Sequence, residues 1–93
     1  MMYVASAKLS FYIPHAESLK DKRRVCSSVV DKSRKRFNAA IAEVDTQDIL
    51  QILTIGVSVV SGQAGHAQTY LNEVISYMEG NADAELTDVW NFS

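Results

Sequence analysis

The sequence predicts a small α+β domain in which four strands and two helices follow one another in the order βαββαβ. Two kinds of periodicity support this order. Four segments are typical of strands, and two of them, residues 3–13 and 50–61, show side chains that alternate between two faces; two further segments place apolar side chains three or four positions apart, as helices do. The third observation is length, because 93 residues, 47% of them hydrophobic and 22% charged, suffice for one domain. We therefore treat residues 1–93 as a single domain.

The first predicted strand spans residues 3–13. Its apolar side chains alternate with largely polar ones, so one face belongs to the core and the other faces outward. The core-facing positions are Ala5, Ala7, Leu9 and Phe11. Pro14 ends the strand, because proline fixes φ and cannot donate a hydrogen bond to a neighbouring strand.

The next segment predicts an amphipathic helix of about five turns. Ser18 is the expected N-cap, and Asp21 follows three residues later, at the spacing of a capping box. One stripe of this helix is largely apolar and consists of Leu19, Val25, Cys26, Val29, Val30, Ser33 and Phe37. The opposite side carries most of the basic residues, which gives the helix a basic outer face.

Residues 38–44 predict a short strand, 45–48 a turn, and 50–61 a longer strand. A second helix follows Ser61-Gly62. The apolar stripe of that helix consists of Ala67, Leu71, Val74, Ile75 and Met78.

Gly80 and Asn81 are expected to end the second helix, because both residues tolerate the left-handed conformation. Residues 85–92 predict a final strand with Leu86 and Trp90 on one face. Both crossovers between strands are long enough to hold a helix. The simplest arrangement of these elements is ferredoxin-like, a four-stranded antiparallel sheet with two helices on one face and the other face open.

Charge is strongly segregated along the chain. Residues 20–36 contain eight of the nine basic residues and only two acids, for a net charge of +6. From Phe37 onward there is no Lys or Arg, and eight acids give −8. A net charge of −2 for the whole chain therefore conceals one basic segment, which is typical of a site for an anionic partner.

Three stretches resemble a known family. Residues 18–25 (SLKDKRRV), residues 36–45 (RFNAAIAEVD), and residues 47–48 together with 55–61 (QD and IGVSVVS) are similar to the YlxP-like family of small bacterial proteins. The resemblance covers almost the whole chain and implies a ferredoxin-like fold, but no established activity. The family's genes often neighbour those for translation initiation and ribosome maturation, which implies a role near ribosomal RNA.

The basic helix is the strongest functional signal. Cations in the first two turns of a helix oppose its macrodipole, whereas phosphates would pair with them favourably. The predicted partner is structured RNA or a ribosomal subunit, and the predicted contacts are Lys20, Arg23, Arg24, Arg34 and Lys35. Lys22 and Arg36 lie nearer the buried edge and are better candidates for pairing with acids elsewhere in the fold, including Glu43.

Several alternatives remain open at this stage. The same basic face is compatible with a solvated surface, or with a homo-oligomer in which it meets acidic surface on a second subunit. Ferredoxin-like domains also serve as small-ligand sensors, and Ser58, Gly62 or Gly65 are positions for such a site. The open sheet face offers small and polar residues on its central strands, with Tyr12 as their one aromatic, which disfavours base stacking. Such residues suit sheet-to-sheet packing in a dimer and equally suit a plain, half-solvated sheet face.

No enzyme, metal or cofactor is predicted. The acids Glu43, Asp45 and Asp48 match no calcium-loop spacing, and His15 and His66 lie in different elements. Cys26 is expected to be a buried, inert thiol. A lone cysteine, no signal segment and no apolar stretch of membrane-spanning length predict a cytoplasmic protein.

Overall fold

The computed structural model describes residues 1–92 and contains the six predicted elements in the predicted order. Their bounds are β1 Tyr3–Tyr12, α1 Leu19–Arg36, β2 Ala40–Glu43, β3 Ile52–Ser61, α2 His66–Asn81 and β4 Glu85–Phe92. The strands form one sheet in the order β2-β3-β1-β4, and every neighbouring pair is antiparallel. This topology confirms the ferredoxin-like α+β fold.

The core lies between the sheet and the two helices. β1 and β3 are the central strands, and both bury every second side chain against the helices. The fully buried side chains come from β1, β3, both helices and the segment directly after β1, and the largest are Phe11, Leu9, Ile13, Leu53, Ile55, Leu71 and Met78. The alternation that predicted the two central strands is therefore the alternation between the core and the open face.

The beginning of α1 confirms the predicted cap. The Ser18 hydroxyl accepts a hydrogen bond from the Asp21 amide at 3.1 Å, and the Asp21 carboxylate accepts one from the Glu17 amide at the same distance. The predicted position of Leu19 on the buried stripe is wrong, since this residue is 44% exposed. Burial on α1 starts one turn later, with Lys22 and Val25.

The prediction that Leu86 and Trp90 share a face of β4 is also wrong. The pairing of β4 with β1 shifts register between Ser10 and Phe11, so that β4 carries one extra residue, Thr87, at this bulge. Leu86 packs against the core, while Trp90 pairs with Lys8 on the open face. An extra residue reverses the alternation of every side chain beyond it.

The end of α2 differs from the predicted left-handed stop. The helix continues through Gly80 and ends at Asn81. Its C-cap is Ala82, which has extended backbone angles and donates its amide to the Met78 carbonyl at 2.9 Å. The left-handed glycine lies instead at the other end of the helix, where Gly65 is the N-cap with φ 77°.

Replacing Gly65 and Gly80 by alanine should change the free energy of unfolding in opposite directions. Gly65→Ala is expected to lower the free energy of unfolding by about 1 kcal/mol, because a side chain at positive φ is strained even in open space. Gly80→Ala is expected to raise it by up to about 1 kcal/mol, because alanine is the better helix former. Urea unfolding of both variants measures the difference, and changes of the same sign would contradict this assignment.

Candidate nucleic-acid interface

The outer face of α1 carries the five predicted contact residues. Lys20, Arg23, Arg24, Arg34 and Lys35 are all exposed. They lie opposite the stripe that packs on the sheet, because positions three, four, seven and eleven apart return to one side of a helix. An 18-residue helix is about 27 Å long, so this basic face is long enough to meet several successive phosphates.

The N-terminal part of this face is almost free of compensating acids. The only ion pair that it makes among residues 1–92 joins Arg24 to Asp21, with nitrogen and oxygen 3.9 Å apart. The pair is exposed and contributes little. Lys20 and Arg23 have no ion-pair partner within the same residues. The first two turns of α1 therefore add cationic charge to the positive end of the helix dipole.

Arg34 has an additional contact that the sequence did not predict. Its Nη2 donates a hydrogen bond of 2.6 Å to the carbonyl of Ile41 on β2. Because β2 is an edge strand, this contact satisfies a carbonyl that no neighbouring strand reaches. A guanidinium has five N–H donors, so Arg34 retains donors for a phosphate while it links α1 to the sheet.

Lys22 is a structural cation, in agreement with its predicted internal role. The side chain is 3% exposed although it lies among the basic residues of α1. Its Nζ donates to the Thr46 carbonyl and, at 2.6 Å, to the Ile49 carbonyl, and lies 3.2 Å from a Glu43 carboxylate oxygen. These contacts fasten α1 to the loop between β2 and β3, so Lys22 is not part of the interface.

Arg36 forms no ion pair with an acid among residues 1–92, in contrast to the prediction, and instead contacts two aromatic rings. Its guanidinium carbon lies 5.1 Å from the centre of the Tyr77 ring and 5.7 Å from that of Phe37. Phe37 packs edge-on against Tyr70 and Tyr77, at 5.7 and 5.4 Å between ring centres. This cation–π contact holds the end of α1 against α2.

Cys26 lies one turn after Lys22 and is half-buried. Burial raises the pKa of its thiol, and the nearby Glu43 carboxylate raises this pKa further, against opposing contributions from Lys22 and Arg34. A raised pKa keeps the sulfur protonated at neutral pH, where a thiol is a poor nucleophile. The direction of this shift is the one expected for an unreactive thiol, although Cys26 is only partly buried where full burial was predicted.

One acidic turn residue, Asp45, and one histidine, His15, have ionic partners within the fold. Asp45 pairs with Lys8 at 2.6 Å, and His15 lies 3.2 Å from Asp83. Across residues 1–92, no group of three or more His, Cys, Asp or Glu side chains is placed to hold a metal ion. No helix in this range has both the length and the apolar character needed to cross a membrane.

The open face of the sheet contains two aromatic residues that the sequence analysis did not assign to it. Trp90 and Phe92 on β4 are 46% and 48% exposed and pair with Lys8 and Ser6 on β1. The central strands carry only Tyr12, as predicted. The two-residue spacing of Trp90 and Phe92 indicates that they share a face of β4. The bulge between β4 and β1 places that face on the open side of the sheet rather than on the side of Leu86.

The fold and the basic helix together define a ferredoxin-like α+β domain with one cationic surface. Residues 4–90 match the model of a family described as "Protein of unknown function (DUF503)". The chain belongs to this DUF503 family. It is 27% identical over 84 residues to "Uncharacterized protein YlxP" of Bacillus subtilis (strain 168), covering 90% of this chain and 91% of the relative. Among solved structures it is similar to the de novo designed protein Ferredog-Diesel, with a TM-score of 0.45, 12% identity, and coverage of 95% of this chain and 84% of that chain.

Proposed function

We propose that this protein binds structured RNA, and specifically a ribosomal subunit, through the outer face of α1. The observation that carries the proposal is the group of exposed cations in the first two turns of α1, of which Lys20 and Arg23 have no acidic partner among residues 1–92. Folding does not favour cations at this end of a helix. Phosphate groups would pair with them and release counterions.

The chemistry of this face favours contacts to the RNA backbone. Its five proposed contact residues are lysines and arginines, and Ser27 and Asp31 lie between them on the same side of the helix. With no aromatic side chain among these residues, the face lacks the aromatic platform on which RNA-binding sheets stack bases. Lys and Arg contacts to phosphates position a protein on RNA by shape and charge.

The rest of the molecule restricts this attraction to one surface. The whole chain is acidic, with a net charge of −2, and α2 and β4 contain acids and no basic residue. A polyanion is therefore attracted by α1 and repelled by the acidic parts of the surface. This asymmetry supports a directed contact in which α1 faces the RNA.

Co-sedimentation with purified Bacillus subtilis ribosomal subunits tests the proposal. We expect the protein to pellet with one subunit at low salt, and to remain bound in part near physiological salt. Binding to both subunits that disappears steeply with salt would reduce the finding to generic attraction to polyanions. No association at either salt would refute the ribosomal proposal.

A further inference from the structure

The sheet face that the helices leave uncovered, here called the open face, is a second surface on the side opposite α1. Its side chains form rows that cross all four strands in the order β2, β3, β1, β4. One row contains Ala40, Ser58, Ser6 and Phe92, and the next contains Ala42, Gly56, Lys8 and Trp90. Both rows begin with alanine on the β2 edge and end with an exposed aromatic side chain on the β4 edge.

The increase in side-chain size from the β2 edge to the β4 edge gives the open face a stepped shape. Over the small residues of β2 and β3 lies a shallow groove of about 430 Å³, which extends across Ser6 to Phe92. At the opposite edge, Trp90 and Phe92 form a ridge about half exposed to solvent. Exposed aromatic side chains beside an empty groove are typical of a surface that packs against another protein.

The charges of the open face disfavour a nucleic acid there. Lys8 is the only basic residue on this face within residues 1–92, and its ammonium is paired with Asp45 at 2.6 Å. Asp88, which pairs with Ser10 in the adjacent row, adds an acid on β4. A phosphate chain would meet no unpaired cation, so a protein surface with small and aromatic side chains is the better match.

We propose that two copies of this chain pair through their open faces, about a two-fold axis parallel to the strands. Such an axis reverses the strand order, so that β4 of one copy lies over β2 of the other. The ridge formed by Trp90 and Phe92 then fills the groove above Ala42 and Ala40 of the second copy, and the same contact occurs twice. An in-plane axis perpendicular to the strands would instead stack ridge on ridge and leave both grooves empty.

The area of the open face is enough for a dimer of modest affinity. With strands about 4.8 Å apart and a rise of about 3.3 Å per residue, the four strands cover roughly 500 Å². Two such faces bury roughly 1,000 Å², the lower limit for a specific interface. We therefore expect a dimer that dissociates on dilution. Its two α1 helices lie on opposite outer surfaces, but the inference does not depend on RNA binding.

Trp90 is the only tryptophan and reports directly on this interface. Sedimentation equilibrium of the full chain is expected to show a monomer–dimer equilibrium, with Trp90 emission shifting to shorter wavelength as the dimer forms. A monomer at concentrations up to about 1 mM would overturn the proposal. A single-stranded oligonucleotide that quenches Trp90 of such a monomer would assign the face to stacked bases instead.

Two variants, one that shortens Trp90 and one that enlarges Ala42, test the orientation of the two copies, because the proposed dimer places these two positions in contact. Trp90→Ala alone leaves a cavity at both contacts, and Ala42→Trp alone overfills both, so each variant is expected to weaken its homodimer at least tenfold. Mixed together, the two variants restore a tryptophan–alanine contact at both places. A heterodimer about as tight as the parent dimer is the expected result, and two variants that remain monomeric when mixed would overturn the arrangement.

Leu19→Ala is the matched control. Leu19 is 44% exposed, about as much as Trp90, but lies on α1 outside the open face. Its truncation is expected to leave the dimer constant within twofold. A loss as large as that of Trp90→Ala would show that the copies pair elsewhere and would refute the open-face assignment. Circular dichroism establishes that each variant is folded.

Discussion

Replacing Lys20, Arg23 and Arg24 by glutamine is expected to weaken binding to the ribosomal subunit about a hundredfold at low salt, without destabilising the fold. Three lost charge-assisted contacts of about 1 kcal/mol or more each account for this loss. Removing cations from the positive end of the α1 dipole relieves an unfavourable interaction, so the free energy of unfolding should rise by up to about 1 kcal/mol. Filter binding over a salt series and urea unfolding measure both effects.

The control for this variant changes the net charge equally at another helix. Gln63, Ala64 and Gln68 are exposed residues at the start of α2, and changing all three to glutamate also lowers the net charge by three. This variant is expected to bind RNA within about threefold of the parent, because only charge near the contact is felt strongly in salt. Equal losses in the two variants would assign the effect to net charge and refute a specific α1 site.

The slope of affinity against salt gives a further check. Each phosphate contact that is lost should reduce the slope of log K against log salt by about one. Removing a negative charge from the same face should have the opposite effect on affinity. Asp31 is an exposed acid between the two groups of cations on α1. Asp31→Asn is expected to tighten binding severalfold, and a weaker complex would contradict the proposed contact with the middle of the helix.

Lys22→Met is expected to lower the free energy of unfolding by about 3 kcal/mol. The substitution keeps an apolar stem of similar length. It removes the ammonium that pairs with Glu43 and donates hydrogen bonds to the carbonyls of Thr46 and Ile49. Breaking a buried ion pair leaves an uncompensated charge and unsatisfied carbonyls. We expect the lower end of the destabilisation usual for a broken buried ion pair, because the Glu43 side chain is 23% exposed and partly solvated. Urea unfolding measures the loss.

Lys32→Met is the control for Lys22→Met. It shows whether the loss of any lysine on α1, rather than of the buried one, destabilises the fold. Lys32 is exposed on the same helix, and its substitution is expected to change the free energy of unfolding by less than about 0.5 kcal/mol. Below the unfolding transition, the Lys22 variant should still bind RNA like the parent, since its ammonium does not reach the surface. Equal destabilisation by both substitutions, or loss of RNA binding in a folded Lys22 variant, would show that Lys22 has been assigned the wrong role.

The sequence alone was sufficient to predict the order and approximate bounds of the helices and strands. It was also sufficient to predict that the basic face of α1 is exposed. Strand and helix periodicities are local, so they gave the bounds of β4 as observed and those of the other strands within two residues. Helical phase is also local, and it separated exposed Lys20 from buried Lys22 although they are two residues apart. The charge segregation that supports the proposed site can likewise be counted from the sequence.

Only the tertiary structure decided the features that depend on pairing between distant segments. The face on which Trp90 lies was set by the bulge between β4 and β1, about 80 residues apart in the chain, and one extra residue reverses a two-residue period. The contact of Arg34 with Ile41 and the carbonyls around Lys22 likewise come from segments brought together by folding. Periodicity determines which way a side chain faces within its own element, whereas its contacts depend on which other elements fold against it.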